Sequence, residues 1–317
     1  MISLVIPVYN RPDEIVELLE SVSRQDERDF EVIVVEDGST RTCKEEIAPF
    51  ADKFRLQYFY KENSGPGPSR NYGVEHASGD YVIVLDSDVI LPDTYLSTVR
   101  RHLADGQIDA FGGPDSAHNS FSTLQKAINY SMTSFLTTGG IRGGMKNVNK
   151  FHPRSFNMGV RAEVWRKLGG FSQMRYGEDI DFSIRLKEAG YKVVLLSDAW
   201  VWHKRRNTLK SFFHQVFHFG QARISLYHRH PETLKLVHLF PAAFVAGSVL
   251  LLLAAPFTYA LSLAPLVLLA LLLFADSWRL NKSLKVALLS VVTSFTQQCG
   301  YGLGFLNALF RGEGHCQ

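Results

Sequence analysis

The sequence predicts an α/β protein, with a mostly parallel sheet and flanking helices, followed by a C-terminal α-helical membrane segment. Two observations lead to this prediction. Up to Leu85, short apolar runs rich in β-branched residues alternate with amphipathic helical segments. From Leu239 to Ala275 the chain has no charged residue. We therefore expect three regions: a head of residues 1–205, a basic connector of residues 206–237 and a membrane region of residues 238–311.

The head begins with a repeated strand–helix pattern. Ile2–Val8 and Phe30–Val35 are short apolar runs, which are typical of strands buried on both faces. Pro12–Arg24 places its apolar side chains on one helical face, and a proline suits its first turn. Two more strands are predicted at Arg55–Tyr60 and Tyr81–Leu85. In such sheets, ligands bind beyond the carboxyl ends of the strands.

The middle of the chain is less regular. Gly112–Lys150 is rich in Gly, Ser, Thr and Asn, which predicts a mobile loop around a helix near Phe121–Leu136. An ordered run, two helices and a strand are expected after it: Ser155–Arg161, Ala162–Leu168, Glu178–Ala189 and Tyr191–Leu196.

The connector is basic and aromatic. Between Ala199 and Pro231 there is no acidic residue, while lysines, arginines, histidines and phenylalanines interleave. A helix of this kind suits the anionic cytoplasmic leaflet of a membrane. The alternative is an ordinary solvated helix that packs on the head.

The apolar tail is long enough to cross a bilayer twice, since one crossing takes about 20 residues. Two prolines bracket a short break, so we predict a hairpin of helices, Phe240–Phe257 and Ser262–Ala275. Basic residues follow, which returns the chain to the cytoplasm by the positive-inside rule. A third segment, Val286–Phe310, carries Gly300 and Gly304 at a spacing that favours close helix packing. Whether it crosses the membrane stays open.

Composition excludes several classes of protein. With 46% apolar and 21% charged residues, the chain is neither disordered nor collagen-like. A net charge of +3 gives no argument for a nucleic-acid partner. The three cysteines lie far apart, which fits a reducing compartment. The N-terminus has no basic leader, so we expect no signal peptide, a cytoplasmic head and a tail in the inner membrane.

A pair of carboxylates closes the fourth predicted strand, in Asp86-Ser87-Asp88. Such a pair can bind Mg²⁺ or Mn²⁺, and the ion can also coordinate a diphosphate, because hard cations prefer oxygen ligands and keep coordination positions open for substrate. Asp179-Ile180-Asp181 has the same spacing but lies in the first turns of a predicted helix. Acidic residues there also favour the helix dipole.

Several motifs follow one another in an order that is more specific than any one of them. They are Pro7-Val8-Tyr9-Asn10, Glu36-Asp37-Gly38-Ser39, Asn63 to Asn71, Asp86-Ser87-Asp88 and Gly177-Glu178-Asp179. From Ile2 to about His203, this order resembles the family 2 glycosyltransferases with the GT-A nucleotide-sugar fold. The sequence departs from that family at Glu36, where a first Asp is usual, and at Gly67-Pro68-Ser69, which bears on nucleotide preference.

The resemblance implies a set of roles. Asp37 would accept a hydrogen bond from the nucleotide base, and Arg70 would lie near the diphosphate. Asp86 and Asp88 would bind the metal ion. The implied contacts with the nucleotide-sugar are Pro7, Val8, Tyr9, Asn10, Asp37, Ser39, Arg70, Asp86, Ser87 and Asn157. Asn157 has an alternative role as a satisfied turn amide.

Two further candidates have less specific signals. His203 ends a strand-like run and is a third candidate metal ligand, with a purely structural histidine as the alternative. Gln215 and His218 lie in a segment that resembles the Q-x-x-R-W motif of membrane polysaccharide synthases. His218 and Phe219 replace Arg and Trp there, which leaves processivity open.

The resemblance also implies the catalytic base. Asp179 would take the proton of the acceptor hydroxyl, and Glu178 is the second candidate, with helix capping as its other role. A metal and Arg70 would neutralise the leaving diphosphate, and a single in-line displacement would invert the anomeric carbon. Arg142 and Arg154 are candidates to meet an anionic acceptor, unless they belong to a solvated loop.

The sequence thus predicts a membrane-attached, metal-dependent, inverting glycosyltransferase of the hexosyltransferase type. Its donor would be a UDP- or GDP-sugar, and its acceptor a lipid-linked or surface-polysaccharide precursor. A polyprenyl-phosphate acceptor is one alternative, and because it is already ionised it needs no base. A non-catalytic, membrane-anchored sugar-nucleotide binder and a processive synthase are the others.

Overall fold

The computed structural model describes residues 1–116, 121–139 and 151–311. These residues form two compact units. The first contains residues 1–116 and 151–204, and the second contains residues 121–139 and 205–311.

The elements are numbered along the chain. The strands are β1 (Ile2–Val8), β2 (Phe30–Asp37), β3 (Arg55–Lys61), β4 (Tyr81–Leu85), β5 (Val89–Ile90), β6 (Ala110–Gly112), β7 (Asp115–Ser116), β8 (Asn157–Arg161), β9 (Val193–Leu195) and β10 (Val201–His203). The helices are α1 (Pro12–Ser23), α2 (Lys44–Ile47), α3 (Pro66–Glu75), α4 (Tyr95–Leu103), α5 (Thr123–Thr133), α6 (Phe135–Thr138), α7 (Ala162–Leu168), α8 (Glu178–Glu188), α9 (Leu209–Arg229), α10 (Phe240–Ala254), α11 (Ala264–Asn281) and α12 (Leu284–Arg311).

The main sheet of the first unit has seven strands in the order β3-β2-β1-β4-β8-β6-β9. Among the strands that the structure describes in this sheet, β8 pairs antiparallel with β4 and β6 and the other pairings are parallel, so the sheet is mostly parallel as predicted. The centre of the sheet is buried on both faces: Leu4 and Ile6 pack in one apolar cluster, and Val5 packs in the other. A second sheet has the order β5-β10-β7.

The register of the central strands places their loops together. Val8 of β1 lies opposite Glu36 of β2, and Val5 lies opposite Val84 of β4. Because these strands are parallel neighbours, the loops that follow them emerge at one edge of the sheet. The motifs that close β1, β2 and β4 are therefore brought to that edge.

The second unit includes a segment that the sequence analysis placed in the head. Helix α5 contributes Ile128 and Met132 to an apolar cluster with Phe212 and Val216 of α9. Burying this apolar face assigns α5 to the second unit, whereas the sequence predicted one boundary after residue 205. The division into an enzyme head, an interfacial connector and a membrane region stays a prediction.

Two helices of the second unit are candidate membrane spans. Among the residues that the structure describes, Phe240–Phe257 and Leu261–Asn281 are long and apolar enough to cross a bilayer, and α12 is not in this set. Their apolar side chains are largely exposed, and Phe257 reaches 86%. Helix α11 continues past the predicted end at Ala275 and ends at Asn281. The next residue, Lys282, adopts a φ of 50°, which ends the helix.

Helices α9 and α12 pack through glycines. A Cβ on Gly304 would lie 1.9 Å from the carbonyl oxygen of Phe217, and one on Gly220 would lie 2.1 Å from that of Tyr301. Only a residue without a side chain permits this approach of the two backbones. The predicted close packing at Gly300 and Gly304 is therefore present, and α9 packs on α12 within the second unit.

Candidate active site

The loops after β1 and β2 are tied together by polar contacts. Asn10 has a positive φ of 54°, and its Oδ1 accepts hydrogen bonds from the backbone N–H groups of Thr40 (2.9 Å) and Arg41 (3.0 Å). The Asn10 N–H donates to Ser39 Oγ at 2.8 Å, and the Ser39 hydroxyl donates to Glu36. Asn10 and Ser39 therefore hold the shape of this loop pair.

The neighbouring residues of the first motif differ in their accessibility. The Tyr9 ring is half exposed, whereas Val8 packs in the apolar core and leaves only its backbone for a ligand. Pro7 is partly buried within β1, and Ser87 is buried. Contact of these residues with a nucleotide stays a prediction.

Asp37 organises the loop that leads into α3. Its Oδ1 accepts from Lys61 Nζ at 2.8 Å and from the Ser64 N–H at 2.9 Å, and its Oδ2 accepts from the Gly65 N–H at 2.9 Å. A carboxylate has about four acceptor positions, so one remains for the predicted base N–H. Lys61 was not identified from the sequence, because its contact with Asp37 joins two strands.

Three candidate metal ligands converge at the end of β4. Asp86, Asp88 and His203 each offer one ligand atom, and these atoms all lie within 4.8 Å of one another. His203 reaches the site because β10 pairs with β5, where it lies opposite Val89. Its Nε2 is 3.2 Å from Asp88 Oδ1 and 3.8 Å from Asp86 Oδ2. The two carboxylates fit Mn²⁺ or Mg²⁺, and the imidazole favours a transition metal such as Mn²⁺ over Mg²⁺.

Each carboxylate of this pair also contacts an arginine. Arg70 of α3 is 3% exposed and donates to Asp86 and, at 3.2 Å, to Glu178 Oε1. Arg11 Nη1 lies 2.9 Å from Asp88 Oδ2. The sequence analysis identified Arg70 but missed Arg11, and its position directly after Pro7-Val8-Tyr9-Asn10 was the available signal.

Glu178 and Asp179 begin α8, after Gly177 with its φ of 85°. The Glu178 side chain is 8% exposed, and this burial raises the pKa of its carboxyl group. The Asp179 carboxylate raises that pKa further, and the Arg70 guanidinium opposes both effects. Glu178 is therefore a buried carboxyl group paired with Arg70.

Asp179 is more accessible than Glu178. Its side chain is 14% exposed, its Oδ2 accepts from the Ser155 N–H at 3.3 Å, and Arg154 Nη1 lies 3.6 Å from Oδ1. The predicted acceptor-binding residue Arg154 is thus beside the predicted base.

The remaining predicted site residues are Asn157, Gln215, His218 and Arg142. Asn157 is fully buried, accepts from the Tyr95 hydroxyl at 2.5 Å and donates to the Ala199 carbonyl at 2.8 Å. The amide is thus hydrogen-bonded within the fold, and its contact with the donor sugar stays a prediction. Gln215 and His218 lie on α9 in the second unit. Arg142 is outside the described residues.

The chain is similar in sequence to known glycosyltransferases. The sequence pattern of "Glycosyl transferase family 2" matches residues 3–169, which is more than half of the chain. An uncharacterized glycosyltransferase of Rickettsia bellii is 46% identical over 87 residues, which cover 27% of this chain and 13% of that relative. The chain therefore spans a small part of the length of such relatives.

Two further similarities are informative. A Campylobacter jejuni protein named GalNAc(5)-diNAcBac-PP-undecaprenol beta-1,3-glucosyltransferase is 32% identical over 114 residues, which cover 35% of this chain and 37% of that protein. The structure of a mannosyltransferase from Pyrobaculum calidifontis, in complex with GDP-Man and Mn²⁺, aligns with a TM-score of 0.66 at 20% identity. It covers 93% of this chain and 86% of that one, so the two share the GT-A fold that the sequence predicted. The chain belongs to glycosyl transferase family 2.

Proposed function

We propose that the chain is a metal-dependent, inverting glycosyltransferase that uses a UDP- or GDP-sugar. Its acceptor would be a hydroxyl of a lipid-linked or surface-polysaccharide precursor at the cytoplasmic face of the inner membrane. The observation that carries this proposal is the convergence of Asp86, Asp88 and His203 in a family 2 unit. Arg70 links that group to Glu178, the first residue of α8.

The leaving group is the first chemical problem. Asp86, Asp88 and His203 would hold Mg²⁺ or Mn²⁺, which when bound neutralises charge on the departing diphosphate. Arg70 keeps Asp86 and Glu178 in fixed positions through its two ion pairs. Its Nε has no hydrogen-bond partner among the described residues, so one N–H donor of this guanidinium is not used within the site.

The acceptor hydroxyl is the second problem, because it is a weak nucleophile until it loses its proton. Asp179 is the more exposed of the two carboxylates of α8, and Arg154 lies beside it. We assign proton removal to Asp179. Glu178 is buried and paired with Arg70, which suits a positioning role.

Membrane attachment completes the proposal. The second unit carries two apolar helices with exposed side chains, α10 and α11. The name of the Campylobacter jejuni relative describes a lipid-linked acceptor for that protein. We propose a lipid-linked acceptor for this chain as well, with α10 and α11 in the bilayer.

A donor screen tests the proposed function. Membranes that contain the full chain are incubated with UDP- and GDP-sugars, with and without a lipid extract, and release of nucleotide diphosphate is measured. We expect release with one donor class that rises with the extract and disappears in Asp88→Asn. Asp105→Asn, on an exposed turn away from the described site, is the matched control. Binding of nucleotide-sugar without any release would instead support a non-catalytic binder.

A further inference from the structure

Arg11 is a charged residue of the site to which the proposed chemistry gives no role. It follows Asn10 directly and precedes α1. A single nitrogen, Nη1, lies 2.9 Å from Asp88 Oδ2 and 2.7 Å from Glu14 Oε2. The side chain is 33% exposed, so it is neither fixed in the core nor fully solvated. The guanidinium thus pairs with Oδ2 of a candidate metal ligand whose Oδ1 faces His203, and it brings a positive charge to the metal site.

We propose that Arg11 couples donor binding to metal binding. Without donor, its guanidinium holds Asp88 and opposes a divalent cation there. When the nucleotide-sugar binds, its diphosphate forms an ion pair with the Arg11 guanidinium. The ion pair between Arg11 and Asp88 then breaks, and Asp88 can bind the metal ion. The inference rests on the proposed function, since it requires that this site bind a nucleotide diphosphate. Arg11 would then be a donor-binding residue that also orders the two binding events.

Charge supports this exchange of partners. A guanidinium and a divalent cation that share one carboxylate repel each other, and partial burial strengthens the repulsion relative to water. A diphosphate offers several anionic oxygens, and the planar guanidinium matches phosphate geometry in a two-point contact. The exchange therefore replaces the contact of Arg11 with Asp88 by a two-point contact with the diphosphate, and it removes the repulsion between the guanidinium and the metal ion.

The geometry also distinguishes Arg11 from Arg70. Arg70 is 3% exposed and is held by Asp86 and Glu178 from two different elements, so it has little freedom to change partners. Arg11 needs to give up only one of its two carboxylates. Glu14, in the first turn of α1, would keep the guanidinium near the site during the exchange.

Mn²⁺ binding tests the proposal without relying on activity. The full chain in detergent is titrated with Mn²⁺, and free Mn²⁺ is measured by electron paramagnetic resonance with and without saturating UDP or GDP. In the wild type we expect weak binding of Mn²⁺ alone and tighter binding with the nucleotide. In Arg11→Gln, Mn²⁺ alone should bind about tenfold more tightly, because the competing charge is gone. The enhancement by nucleotide should shrink, since coupling free energies are reciprocal.

Two variants complete the test. Arg11→Lys keeps the positive charge and should retain weak binding of Mn²⁺ alone, even if Arg11→Gln is poorly folded. Arg24→Gln, which removes an exposed arginine paired with Asp93, should behave as the wild type. Unchanged or weaker binding of Mn²⁺ alone in folded Arg11→Gln overturns the inference and leaves the proposed function standing. If neither UDP nor GDP binds to the wild type, the proposed function fails as well.

Discussion

At the scale of single residues, removal of Asp86 and removal of Asp88 should have the same effect on turnover but different effects on stability. Asp88→Ala and Asp86→Ala should both abolish turnover, and EDTA should do the same to the wild type. Asp86→Ala also takes one of two partners from the buried Arg70, so we expect an additional loss of roughly 1–3 kcal/mol in unfolding free energy. Nucleotide diphosphate release and chemical unfolding in detergent measure the two effects. Full activity in EDTA would contradict the metal role.

The two carboxylates of α8 should respond differently to amide substitution. Asp179→Asn keeps the shape of the side chain but removes the proton acceptor, so turnover should fall by about 10²–10⁴-fold with donor affinity nearly unchanged. Glu178→Gln should cost less, because Arg70 keeps Asp86 as a partner. Single-turnover rates and donor binding separate these effects. The reverse order of severity would move the role to Glu178, and mild effects in both would favour an acceptor that is already ionised.

The raised pKa of Glu178 predicts a dependence of stability on pH. The folded protein holds the Glu178 proton more tightly than the unfolded chain does, so the stabilising contribution of the protonated carboxyl is lost as pH rises through the folded-state pKa. The loss occurs between about pH 4.5, the usual pKa of a glutamate, and about pH 7, the pKa of Glu178 in the folded protein. Glu178→Gln should therefore gain unfolding free energy relative to the wild type between pH 5 and pH 8. Thermal unfolding at these two pH values measures the gain, and Glu163→Gln, on the exposed face of α7, should show none.

At the scale of elements, the glycines between α9 and α12 set the distance between two helices. Gly304→Val would place carbon atoms against the Phe217 carbonyl, which forces the helices apart. Overpacking of this kind costs typically about 1–3 kcal/mol. Gly247→Val on α10 is the matched control, because a Cβ there has nothing within 4 Å. The melting temperature in detergent should fall for Gly304→Val alone, and equal values in both variants would disprove tight packing.

The sequence predicted the elements whose signals are local. Strands β1 and β4 have the predicted bounds, because each is an apolar run with a turn directly after it. Helix α4, Tyr95–Leu103, was missed, since its apolar positions are few and no motif marks it. The assignment of α5 to the second unit depends on an apolar cluster with α9, which no local pattern reveals.

The candidate site likewise contains residues that a local motif predicts and contacts that only the fold creates. The carboxylates of Asp86 and Asp88 were predicted because a family motif contains them, and the structure brings His203 to them. The contact of Arg11 with Asp88 joins residues 77 positions apart, so the position of Arg11 after Asn10 indicates a site residue but not its partner. The hydrogen bonds of the Asn157 amide to Tyr95 and Ala199 also join distant residues, and the predicted contact of Asn157 with the ligand stays a prediction.

At the scale of the whole molecule, the two units differ in how far they depend on the C-terminal helices. The apolar clusters of the sheet unit contain, among the described residues, only residues of that unit. In the second unit, α12 packs against α5, α9, α10 and α11. The sheet unit should therefore keep its fold without the tail, whereas α5 and α9 lose their main partner.

A chain that ends at His238 tests this dependence. We expect it to bind nucleotide diphosphate, because the loops after β1, β2 and β4 belong to the sheet unit. Limited proteolysis should cleave it within α5 and α9, since removal of α12 uncovers Val216 and the hydroxyl contact between Ser131 and Thr293 is lost. Transfer to a lipid-linked acceptor should fall sharply while nucleotide affinity stays within about twofold of the full chain. Unchanged transfer by the shortened chain would mean that α10 to α12 serve only as an attachment and take no part in presenting the acceptor.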